Sequence, residues 1–106
     1  MTQKEYRLRY EDAVVDHLAA IDPRAHGEIR AAIVERLSFE PTMETRNRKP
    51  LLRPSLFGAT WELRLGPGNG FRVFYRVDDE ARVVMILAIG EKVRERLYIG
   101  GKAVAL

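Results

Sequence analysis

The apolar residues of this chain change their spacing partway along it, and that change limits the folds open to it. Between Val14 and Leu37 they recur every three or four residues, whereas from Trp61 onward they alternate with polar ones. The first period suits a helix with one buried stripe, the second a strand with one buried face. Helices followed by a run of strands read as an α+β fold, not as repeated βα units with a parallel sheet.

In the helical half, Val14, Leu18 and Ile21 mark an amphipathic helix over about residues 11–20. Asp22-Pro23 ends it and opens the next, because Asp caps a helix start and Pro at the first helical position forfeits no needed hydrogen bond. Ala25, Ile29, Ala32, Ile33 and Leu37 line one face of that second helix, and Pro41 stops it. So short a joint predicts an antiparallel helical hairpin. Ahead of it, Tyr6, Leu8 and Tyr10 alternate with Arg7 and Arg9, which predicts a short N-terminal strand.

In the other half, residues 61–65 predict a strand and the Gly66–Gly70 cluster a turn. Residues 71–77 then return, Asp78-Asp79-Glu80 turn again, and residues 82–89 follow. The last strand is apolar on both faces and should lie centrally, with Gly90 breaking it. Leu97-Tyr98-Ile99 reads as one more short strand. The result is a mainly antiparallel meander. Between the halves runs a long connection, residues 41–60, in which Pro41, Pro50 and Pro54 discourage regular structure, with a short strand or turn near Leu51 and Leu52.

The length of 106 residues fits a single domain. There is no cysteine, so disulfides and thiolate metal sites are excluded. His17 and His26, nine apart on helices, do not make a same-face ligand pair, so neither metal nor cofactor is expected. The first ten residues are charged and alternating, unlike a signal peptide, and no apolar run reaches membrane-spanning length. The expected location is the cytoplasm. The formal charge of +3 is modest, but its distribution is uneven: Arg46, Arg48, Lys49 and Arg53 form an acid-free run, and the turn at Asp78 is purely acidic.

Strand alternation points to one candidate surface. With Trp61, Leu63 and Leu65 inward, Glu62 and Arg64 face out; with Phe71, Val73, Tyr75 and Val77 inward, Arg72, Phe74 and Arg76 face out. Guanidiniums around an exposed aromatic ring suit phosphates and a stacked base, although a solvated face of cross-strand ion pairs would have the same pattern. Cleavage of RNA by its own 2′-hydroxyl needs a base, positive charge on the pentacoordinate phosphate and a leaving-group partner. Glu62, or a cation of depressed pKa, is the candidate base. Arg64 and Arg72 would stabilise charge, and Lys92, Arg94 or Tyr98 would act at the leaving oxygen or orient the chain.

Trp61-Glu62-Leu63-Arg64, Gly70-Phe71-Arg72-Val73-Phe74-Tyr75, Ile86-Leu87-Ala88-Ile89-Gly90 and Tyr98 resemble the RelE/ParE superfamily of toxins. Thr45-Arg46-Asn47-Arg48-Lys49-Pro50-Leu51 and Tyr98-Ile99-Gly100-Gly101 look like a RelE/HigB-type subgroup. The resemblance implies the toxin of a type II toxin–antitoxin system, neutralised by a cognate antitoxin. In the RelE branch it implies metal-independent cleavage of messenger RNA on the ribosome, which inhibits translation. Carried over by motif, Arg72, Lys92 and Tyr98 would be catalytic. Two lysines of that branch fall on Glu62 and Arg64, so one charge is reversed. Arg46, Arg48, Lys49, Arg53, Arg76 and Arg94 would bind RNA. The alternative implied is a ParE-like inhibitor of DNA gyrase, or a toxin whose catalysis has degenerated.

Overall fold

Strand β5 (Val83–Val93) organises the molecule. In the computed structural model, which describes residues 4–52 and 56–105, it is flanked on one side by β4 (Phe71–Asp78) along most of its length. On its other side β1 (Arg7–Tyr10) runs parallel to residues 83–86, and β6 (Arg96–Ile99) runs antiparallel to residues 90–93. The sheet continues outward to β3 (Trp61–Leu65) and β2 (Arg48–Pro50) at one edge, and to β7 (Lys102–Val104) at the other. The seven strands found among the described residues belong to this one sheet, antiparallel apart from the β1–β5 pair. Among the described residues no helix is long and apolar enough to cross a membrane.

Two helices, α1 (Ala13–Ala19) and α2 (His26–Leu37), cover one face. Asp22 accepts a hydrogen bond from the Arg24 N–H ahead of the Pro23–Ala25 turn, as its capping role requires. The main core lies between this helical layer and the sheet. Ile29, Ile33 and Leu37 of α2 are fully buried there with Leu63, Val73, Tyr75, Val84, Ile86 and Ile89 of the sheet. The Tyr75 hydroxyl reaches through this core to donate to the Pro41 carbonyl at 2.6 Å. Burial of Tyr75 pushes its phenol well above the ordinary value, so it remains a donor.

Three expectations require correction. Strict alternation fails in β5, where Tyr75 pairs with Ile86 but Phe74 pairs with Ala88, leaving Leu87 as an extra residue. This bulge turns Leu87 and Ala88 to the same side. Phe74 faces away from the helices as alternation predicts, yet it is not an exposed ring among guanidiniums. It is 3% exposed, in a second apolar cluster with Ala59, Leu87, Ala88, Leu97 and Ile99 on the face away from the helices. Gly90 does not break the strand. It lies within β5, where an added Cβ would sit 2.7 Å from the Tyr98 carbonyl oxygen; its bareness is what lets β6 approach. The short strand of the connection is residues 48–50, ahead of the expected site at Leu51, and β7 was not foreseen.

One gap in the hydrogen-bonding is closed by a side chain. Between the stretches paired with β1 and β6, β5 has no strand on that side, and there the Ile89 N–H donates to His17 Nδ1 at 3.3 Å. His17 is 7% exposed, and burial lowers its pKa despite the opposing pull of Asp16. It is therefore a structural, neutral acceptor.

Candidate functional site

The β3–β4 hairpin places the proposed catalytic side chains. Its turn depends on Gly66, which takes φ +81° and where a Cβ would meet Phe71 Cδ2 at 2.5 Å. Arg64 pairs directly with Arg72, and Glu62 with Phe74, so Glu62, Arg64 and Arg72 share the face turned from the helices. Next along this face, Gly90 lies opposite Arg72, and Lys92 opposite the buried Leu97. Lys49 lies beside Glu62 from the edge strand β2. The surface expected from alternation therefore does gather cations.

Those cations are not all free. Glu62 is 5% exposed and both its oxygens are occupied: Oε1 accepts from Arg64 Nε at 2.6 Å, and Oε2 from Arg72 Nη1 at 3.4 Å. The Arg72 side chain is only 11% exposed and its Nε donates to the Asn69 carbonyl at 2.8 Å. Arg64, at 39%, keeps one side in water. Two guanidiniums thus bracket one buried carboxylate, leaving one net positive charge from three ionised groups. Two donors fill only two of a carboxylate's roughly four lone-pair sites, but at 5% exposure Glu62 leaves little room for a nucleophile to reach the others.

Tyr98 stands elsewhere. It pairs with Glu91, which pairs with Phe71, and Phe71 packs against the helix-side core, so Tyr98 is on the face opposite Arg72. It lines a separate cleft of about 440 Å³ with Val93, Arg94, Glu95 and Arg96 at the end of the β5–β6 hairpin. The structure brings Glu62, Arg64, Arg72 and Lys92 to one face, and separates Tyr98 and Arg94 from them.

The expected RNA-binding run is likewise divided. Arg48 pairs with Leu63 and turns toward the helices, where its Nη1 donates to the Arg36 carbonyl at 2.6 Å and its Nε is buried with no partner. Lys49 is 3.4 Å from Glu44 Oε2. Arg46 is exposed, Arg53 lies outside the described residues, and exposed Arg76 sits beyond the bulge at the far end of β4. Asn69 was missed as a part of the site: it holds Arg72 through its main-chain carbonyl, and no side-chain pattern signals that. Among the described residues no group of three His, Cys, Asp or Glu side chains could hold a metal ion.

Comparison with known proteins agrees with this architecture. The family model described as the ParE toxin of the type II toxin–antitoxin system parDE matches residues 3–96. The search of curated proteins finds no match. Among solved structures, the chain is similar to one in the toxin–antitoxin complex RelBE2 of Mycobacterium tuberculosis, with 28% identity and a TM-score of 0.69 over 86% of this chain and 95% of that one. It also shares the fold of the Escherichia coli toxin RelE, in a mutant form bound to a peptide of the antitoxin RelB, with 16% identity and a TM-score of 0.53 over 84% and 85%. With the family model spanning most of its length and the α+β fold in common, the chain belongs to the ParE toxin family of type II toxin–antitoxin systems, within the RelE/ParE superfamily.

Proposed function

We propose that this toxin acts by binding its target and not by cutting RNA, as a ParE-like inhibitor of DNA gyrase held in check by a cognate antitoxin. The observation that supports this most strongly is the enclosed Arg64–Glu62–Arg72 group. Metal-free cleavage needs a base, a cation at the phosphate and a leaving-group partner within reach of one phosphodiester. In this protein the candidate base is buried between two guanidiniums, the central arginine is mostly buried, and the candidate tyrosine emerges on the other face. Opening the group to admit a phosphate would take the guanidiniums from the buried Glu62 carboxylate and leave that charge without its partners, which is unfavourable. The antitoxin partner is supported by the similar solved structures, both of which are toxins in complex with antitoxins.

A second reading, cleavage of messenger RNA on the ribosome, is favoured by one observation: Arg64, Arg72 and Lys92 share a face as the RelE-like motif requires. The two readings separate in parallel assays with purified toxin. Gyrase supercoiling of relaxed plasmid should be inhibited, while primer extension on ribosome-bound message should show no new ends. Toxin-dependent ends in the message, with gyrase unaffected, would reverse the choice.

A further inference from the structure

The turn that joins β3 to β4 carries a residue pair with a chemistry of its own. Asn69-Gly70 is the one Asn-Gly pair in the sequence; the other asparagine, Asn47, precedes Arg48. Glycine has no side chain to shield its nitrogen, so that nitrogen can reach the side-chain amide carbon of the preceding asparagine. Asn69 is exposed and takes φ +54°, and its side chain is held by one long bond, Oδ1 accepting from Asn47 Nδ2 at 3.3 Å. Two bonds close the turn: the Asn69 N–H donates to the Gly66 carbonyl at 3.0 Å, and the Gly70 N–H to the Pro67 carbonyl at 3.1 Å. An exposed turn held so lightly opens more readily than the strand ladder beside it.

Arg72 distinguishes this pair from any exposed Asn-Gly. Its Nε–H donates at 2.8 Å to the Asn69 carbonyl, which belongs to the same peptide group as the Gly70 N–H. When that N–H loses its proton, resonance carries the charge onto the carbonyl oxygen, where the guanidinium already sits. We propose that Asn69 is a site of spontaneous deamidation, assisted by Arg72, which converts the turn into an isoaspartyl linkage. The reaction needs the Gly70–Pro67 bond to open. The Gly70 nitrogen then gives its proton to water and attacks Asn69 Cγ, closing a succinimide ring. The Cγ–Nδ2 bond breaks, and the amide nitrogen leaves as ammonia after regaining a proton from solvent. Water next opens the ring. Arg72 polarises the main-chain carbonyl, so water adds there, and the bond from that carbon to the Gly70 nitrogen breaks. The backbone now runs through Cβ and Cγ, one methylene longer, and the former carbonyl is a carboxylate beside Arg72. That carboxylate competes with Glu62 Oε2, which accepts from Arg72 Nη1 at 3.4 Å, and draws the guanidinium toward the turn. The Arg64–Glu62–Arg72 group thus changes with the age of the molecule, whichever target the toxin acts on.

The test is incubation of the full chain in mildly alkaline buffer at physiological temperature, beside a synthetic peptide of residues 65–72. Both are followed by peptide mass spectrometry and by methyl transfer from an isoaspartate-specific methyltransferase. The folded protein should lose Asn69 while Asn47 persists. Its isoaspartate share should exceed that of the peptide, in which no fold holds Arg72 on the carbonyl. Gly70→Ala should slow the loss several-fold; circular dichroism checks its fold, since the new Cβ would lie 3.3 Å from the Pro67 carbonyl oxygen. Arg72→Lys, which keeps a cation beside Glu62 without the Nε–H, should bring the isoaspartate share down to that of the peptide. In the converted wild type the Arg72 Nε–H resonance should move. Asn69 intact after the peptide is fully converted, a wild-type isoaspartate share no larger than the peptide's, or an unmoved Arg72 resonance after conversion would each overturn the inference.

Discussion

Replacing Glu62 by Ala should destabilise this protein far more than a solvent-facing charge on a sheet would. Removing one partner of a fully buried ion pair typically costs about 3–5 kcal/mol, because the remaining charge is left uncompensated. Two features reduce that figure here: Arg64 is 39% exposed and can turn to water, and Arg72 keeps its bond to the Asn69 carbonyl. Arg72 itself is 11% exposed and cannot. The expected loss is therefore about 2–3 kcal/mol, a large part of the ~5–15 kcal/mol stability of an ordinary domain. At roughly 4–8 °C per kcal/mol for a domain of this size, the melting temperature should drop by about 10–20 °C. Circular dichroism melts and urea titrations of the wild type, Glu62→Ala, Arg72→Ala and the double variant close a thermodynamic cycle, which should show coupling of at least about 1 kcal/mol. A Glu62→Ala loss under about 0.5 kcal/mol, or no coupling to Arg72, would refute the claim that the carboxylate is a buried counter-ion.

Other positions give sharper contrasts with an exposed surface. Phe74→Ala should cost about 3–5 kcal/mol in urea titrations if the ring fills the second core, and almost nothing if it faced solvent. Gly90→Ala should cost at least about 2 kcal/mol or prevent folding, since the new Cβ meets the Tyr98 main chain; loss of amide protection along β6 would locate the damage. The His17 pKa is lowered by folding, so its contribution is present above the unfolded value near ~6.5 and is lost as pH falls below it. The urea midpoint of the wild type should fall between pH 7.5 and pH 5, and His17→Ala should be less stable at pH 7.5 with a flatter pH response.

Much of the fold was legible because its signals are local. The stripe Ile29, Ile33 and Leu37 needs only helical spacing, and Asp22-Pro23 carries its own cap chemistry. Strand alternation also put Glu62, Arg64 and Arg72 on one face correctly. What it could not reveal was that this face has a core of its own. That core forms where Ala59, Leu97 and Ile99 meet Phe74 and Leu87, with the bulge adding Ala88, and such packing is a property of the assembled sheet, not of any one strand's sequence. The partners of Glu62 were hidden for the same reason, as were the position of Tyr98 on the other face and the parallel docking of β1 on β5. Arg48 illustrates the limit for a charge run: four neighbouring cations suggest one electropositive loop, yet the edge strand turns this one toward α2.

The most direct measurement is the behaviour of the Arg72 side chain in solution. If its guanidinium is shared between Glu62 and the Asn69 carbonyl, the Nε–H should exchange slowly with water. Its resonance should also stay fixed as uridine RNA is added, while that of exposed Arg94 exchanges fast. An Arg72 Nε–H that exchanges like that of Arg94 and moves in proportion to bound RNA would mean that phosphate reaches this arginine, and the proposal of a toxin that binds without cutting would not survive.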